Sequence, residues 1–144
     1  MKRSLVLIPV VALGLGAVPV TAQAADGGRP FHLELTGAAE RPGPGDPDGS
    51  GTAHLRVNPG QGEVCYSVTV SGVDPITAAH IHVAPATSPG PVVIPLAPFT
   101  GNSTSGCADV DRGLALALIQ EPENYYVNVH NATYPAGALR AQLG

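Results

Sequence analysis

The sequence predicts an all-β domain, an antiparallel sandwich or barrel that carries one short helix. Three observations point there. Polar and apolar residues alternate with a period of two in several short runs, as in strands with one buried face. Clusters of Gly, Pro, Asn and Asp separate these runs at short intervals, a spacing typical of sandwiches and barrels. Only one window, Leu114 to Ile119, is dense in good helix formers.

Residues 1–24 read as a cleaved signal peptide. Lys2 and Arg3 form a basic start, an apolar run extends from Leu5 to Val20, and Ala22-Gln23-Ala24 fits a small-residue cleavage site. The run is short for a membrane span, and Pro9 and Pro19 interrupt it. Residues 25–30 are expected to form a disordered leader. Residues 31–144 then make one domain, large enough for a single core. The expected location is secreted or extracytoplasmic, with no membrane span after cleavage.

Phe31 to Leu35 alternates and opens the domain as a strand. Arg41 to Gly51 is a run of turn formers and is predicted as a loop. From Thr52 to Val57 the alternation resumes, with Ala53, Leu55 and Val57 on one face and His54 and Arg56 on the other. Asn58 to Gly62 is a strong turn, so this strand and the next form a hairpin. Glu63 to Val70 places Val64, Tyr66, Val68 and Val70 on one face. Ser71 to Pro75 ends it. Ala78 to Val83 is a strand bearing His80 and His82, and Pro91 to Leu96 is a short apolar strand. Asp109 or Asp111 caps the helix, and Glu121-Pro122 ends it. Tyr125 to His130 alternates again, and one of the adjacent Tyr125 and Tyr126 is expected to face the core. The other, with Tyr134, could join an exposed recognition patch.

The chain holds 7 Lys and Arg against 11 Asp and Glu, and the signal contains the one lysine. An acidic chain without a basic cluster is a poor partner for nucleic acid or anionic membranes. Its partner is expected to be an unidentified protein or small ligand. Cys65 and Cys107 are the two cysteines, and in an oxidising compartment they should form a disulfide. The alternative is a pair of free buried thiols.

His80 and His82 stand two apart, so both point to one side of their strand. A neighbouring strand carrying His130 could add a third imidazole, and His54 a fourth group. Neutral imidazoles suit copper or zinc, and three leave an open coordination position. The competing reading is structural: the rings hydrogen-bond loop carbonyls, and Asn128, Arg140 and Gln142 complete a polar network. There is no Gly-x-Ser-x-Gly elbow, and the carboxylates are scattered, so the expectation is a domain without catalysis.

Several segments together resemble the CHRD domain family, named for repeats in the animal protein chordin and found also in secreted microbial proteins. They are Ala79-His80-Ile81-His82, Gly90-Pro91-Val92-Val93, and Tyr126-Val127-Asn128-Val129-His130 with Pro135, Gly137, Arg140, Gln142 and Leu143. The upstream Gly51-Thr52-Ala53, Val64 to Gly72 and Asp74-Pro75 fit as well. The resemblance implies a Greek-key sandwich or barrel, immunoglobulin-like or superoxide-dismutase-like. It implies a binding or structural module without assigned catalysis. The loop after the His-x-His strand departs from the family's glycine-rich pattern: Ala84 to Pro89 supplies prolines, which stiffen it. A two-metal dismutase would need more histidines than His32, His54, His80, His82 and His130.

Overall fold

A computed structural model describes residues 27–144; the predicted signal peptide lies outside the described residues. Eight strands appear in chain order: β1 (Arg29–Thr36), β2 (Ser50–Asn58), β3 (Glu63–Ser71), β4 (Ile76–Val83), β5 (Val92–Pro95), β6 (Ser103–Asp109), β7 (Tyr125–Asn131) and β8 (Leu139–Gln142). One helix, α1 (Arg112–Gln120), lies between β6 and β7. The strands form one antiparallel sheet in the order β5-β4-β7-β8-β1-β2-β3-β6.

The sheet is nearly closed into a barrel, as the all-β reading anticipates. β8 meets β1 through a single residue pair, Thr36 with Arg140, and the sheet folds over at that junction. Its two halves then share one core. Leu33, Leu55 and Val68 come from the β1-β2-β3-β6 half; Ile81, Ile94 and Val127 come from the other. β4 to β7 follow a Greek-key path, because β7 returns to lie beside β4. The open seam lies between β5 and β6, and the segment joining them bridges it. Leu96 N–H donates to Ala79 O, Ala97 N–H to Tyr66 Oη, and Thr104 Oγ1 to Ala97 O.

Local chemistry explains most boundaries. Gly62 takes φ +69° in the β2–β3 turn, a conformation costly for other residues. Asp111 caps α1, its carboxylate accepting from Gly113 N–H and Leu114 N–H. The helix buries Ala115 and Leu118 against the core. Cys65 and Cys107 are direct partners across β3 and β6 and are joined by a disulfide that spans 42 residues of chain.

Four expectations need correction. Arg29 and Pro30, assigned to the leader, open β1, because Arg29 pairs in register with Val57. Ser50 and Gly51, assigned to the loop, open β2 opposite Thr36 and Leu35. β6 has no counterpart in the elements read from sequence; Ser103-Thr104-Ser105-Gly106 lacks an apolar face, and the strand is held by pairing with β3. Finally, Tyr125 and Tyr126 are both buried, so neither joins an exposed patch.

That last correction has a structural cause. β7 is buried on both sides, at six of its seven residues. Tyr125, Val127 and Val129 face the core. Tyr126, Asn128 and His130 face outward, yet the segment 84–91 and residues near Glu40 cover that outer face.

Candidate metal centre

β4 and β7 pair antiparallel, with Ala78 opposite His130, His80 opposite Asn128 and His82 opposite Tyr126. On this outer face His130 is therefore diagonal to His80, within reach of a long side chain. His80 Nδ1 lies 3.2 Å from His130 Nε2. The ring centroids are 5.4 Å apart for His80 and His82, 5.1 Å for His80 and His130, and 6.0 Å for His82 and His130. One ligand nitrogen from each can be chosen so that all lie within 4.8 Å of one another. Metal–nitrogen bonds of about 2.0–2.1 Å in a tetrahedron put two nitrogens roughly 3.3 Å apart. The His80–His130 pair already has that spacing, and His82 needs only a modest side-chain shift.

The outer nitrogens fix the tautomers. His82 Nδ1 lies 2.9 Å from Gly90 O, and His130 Nδ1 lies 3.1 Å from Pro135 O. A carbonyl only accepts, so each Nδ1 carries the proton and each Nε2 presents a lone pair. Backbone carbonyls commonly orient metal-binding imidazoles in this way. His82 Nε2 is buried and has no hydrogen-bond partner. His130 Nε2 must accept from His80 Nδ1, and a metal would replace that proton. Burial is the first cause holding all three histidines below their ordinary pKa; mutual repulsion adds to it at His82 and His130. Neutral rings are the form that binds metal.

Around the histidines lies a buried polar layer. Arg140 is only 1% exposed; its Nη1 donates to Ser88 O at 3.0 Å and its Nη2 to Pro85 O at 2.9 Å and Gln142 Oε1 at 3.0 Å. Gln142 Nε2 donates to Ala84 O and Glu123 O. The Arg140 guanidinium sits 3.5 Å from the centroid of Tyr126, and Tyr126 stacks on His82 at 4.8 Å. Gly90 N–H donates to Tyr126 Oη. Segment 84–90 is thus pinned by Arg140, Gln142, His82 and Tyr126. Asn128 takes a different partner: its Nδ2 donates to Glu40 Oε1.

Glu40 is the member that sequence reasoning missed. It is 2% exposed, and burial pushes its carboxyl up to about 7, against the pull of Arg140, Arg41 and Asn128. It follows a short 3₁₀ turn at Gly37–Ala39, and its partner Asn128 lies 88 residues away, so no local pattern marks it. His54, offered as a fourth ligand, is not at this site. It pairs with His32 across β1 and β2, in the other half of the sheet.

Among the described residues none of the three imidazoles hydrogen-bonds a hydroxyl or thiol, as a nucleophile–base pair would require. What fold and site define is a small all-β domain with three histidines clustered over a sheet face. The chain belongs to the CHRD domain family, whose profile matches residues 31–143. No curated protein and no solved structure matches it. No helix among the described residues is long and apolar enough to cross a membrane.

Proposed function

We propose that this domain is an exported binding module that holds one copper or zinc ion on His80, His82 and His130. The observation that carries the reading is the buried, unpartnered Nε2 of His82, whose ring is oriented by the Gly90 carbonyl and faces two more imidazoles. A purely structural role explains the Nδ1 bonds that tie His82 and His130 to loop carbonyls. It leaves a buried acceptor unsatisfied, which costs on the order of 1–3 kcal/mol. A metal uses that lone pair and keeps both loop bonds.

Export is supported by the basic, apolar and small-residue order of residues 1–24, which signal cleavage would remove. The disulfide and the family are consistent with it. Arg140 and Gln142 act as supports in this reading, clamping the segment that orients His82, whereas Asn128 holds Glu40. Three protein ligands leave a position for water or for a group from a partner protein or small ligand.

Titration of chelator-stripped, untagged protein with Cu(II), Cu(I) and Zn(II) tests the proposal. The expected result is about one tight equivalent of at least one ion, weakened in His82→Ala by more than the ~10–100-fold typical of losing an outer-shell support. Equal affinity in wild type, His80→Ala and His82→Ala overturns it.

A further inference from the structure

The His32–His54 pair lies outside this centre and has its own geometry. The two residues are direct partners in the β1–β2 register, and their row continues across the sheet through Ser67 to Ser105. Both side chains are exposed. Their rings meet edge-on, with centroids 4.7 Å apart and planes at 72°, and Nδ1 of one lies 2.5 Å from Nδ1 of the other. Two lone pairs cannot face each other at that distance, so a proton must lie between them, one ring donating to the other. A cation can take the proton's place once the donor ring carries its proton on Nε2 instead, which leaves both Nδ1 lone pairs free.

We propose that His32 and His54 form a second metal site, an exposed bis-imidazole chelate for a borderline divalent ion such as Cu(II) or Ni(II). Two nitrogens bound at about 2.0–2.1 Å on adjacent positions of a metal stand roughly 3 Å apart. The rings need to open by only a fraction of an ångström, and exposed side chains can do so by small rotations. Register fixes the two backbones, so little ordering is required on binding. Imidazole nitrogen suits Cu(II) and Ni(II), and Cu(II) stands highest in the usual affinity order. Glu34 on β1 and Arg56 on β2 share this face, two residues from His32 and His54 respectively. Their opposite charges favour and oppose a cation in turn. With two protein ligands and solvent completing the shell, binding here should be weaker than at a three-imidazole site.

The test is titration of untagged protein with Cu(II) and Ni(II), following the imidazole signals of all five histidines by NMR. In wild type, the His32 and His54 signals should broaden together, over about one equivalent of the weaker class. In His82→Ala the same class should persist. In His32→Ala and in His54→Ala it should disappear, while any tight class and the thermal midpoint stay unchanged. If the three-histidine reading fails, the exposed class appears alone, so the two proposals are separable. A weaker class that is absent in wild type, or that survives unchanged in His32→Ala and His54→Ala, overturns this one.

Discussion

Replacing Glu40 by glutamine should stabilise the domain in a strongly pH-dependent way. Glu40 is almost wholly buried, and burial raises its carboxyl from 4.5 to about 7 despite the attraction of Arg140. The folded state therefore holds a proton that the unfolded chain releases between those two values. Stability from this group is fully present below pH 4.5 and is lost as pH rises through about 7. Above that point the ionised carboxylate costs on the order of 3 kcal/mol relative to its protonated form. The Glu40→Gln side chain mimics the protonated form. Its amide oxygen can accept from Asn128 Nδ2 as the Glu40 carboxyl does, and its amide nitrogen can offer a donor to Asn128 Oδ1, which is buried without a partner.

The wild-type curve alone does not isolate the effect. His80, His82 and His130 are held below 6.5 by burial, so they contribute the opposite trend, with stability lost as pH falls below 6.5. The difference between variant and wild type cancels that background. Urea unfolding in chelator, with the disulfide intact, should show the two proteins within about 1 kcal/mol at roughly pH 5. By about pH 8.5 the variant should lead by about 3 kcal/mol, a midpoint shift on the order of 10 °C in a thermal melt. A gap that is the same at both pH values would refute the reasoning.

Two further outcomes are expected. Replacing both Cys65 and Cys107 by Ser removes a cross-link over 42 residues and should cost about 4 kcal/mol in the chain-entropy model; the wild-type protein under reductant should show the same loss in urea unfolding. Gly137→Ala should destabilise by about 1–3 kcal/mol, because Gly137 has φ +152° and an added Cβ would collide with Glu40 Oε2 and Asn128 Nδ2; loss of amide-exchange protection near β7 in otherwise folded protein reports it, and unchanged stability would place Glu40 elsewhere.

Strand alternation makes the inner face legible residue by residue. Ala53, Leu55, Val57, Val64, Tyr66, Val68 and Val70 are all buried, and the helix begins at Asp111, one of the two caps the sequence offers. The same alternation misleads on β7. It turns one of Tyr125 and Tyr126 away from the core, and Tyr126 does face outward with Asn128 and His130, but outward is not the same as exposed. Whether an outward face meets water depends on distant segments, and sequence periodicity carries no information about them. β6 is invisible for a related reason: an edge strand held by its ladder to β3 needs no apolar face of its own.

The three histidines are legible as a set, but their proximity is not. It follows from β4 pairing with β7 so that Ala78 stands opposite His130; pairing one residue along would turn His130 to the other face of the sheet. The covering loop then orients one member of that set, His82. In sequence, its departure from a glycine-rich pattern reads as a change in stiffness alone. In the fold, the carbonyls of Ala84, Pro85, Ser88 and Gly90 receive Gln142, Arg140 and His82. Prolines at 85 and 89 narrow the conformations open to those carbonyls. A stiff loop that fixes the Nδ1 bond of His82 also fixes where its Nε2 lone pair points. The residues that depart from the family pattern and the residue that follows it thus act on one atom: the prolines orient the nitrogen that the His-x-His strand supplies.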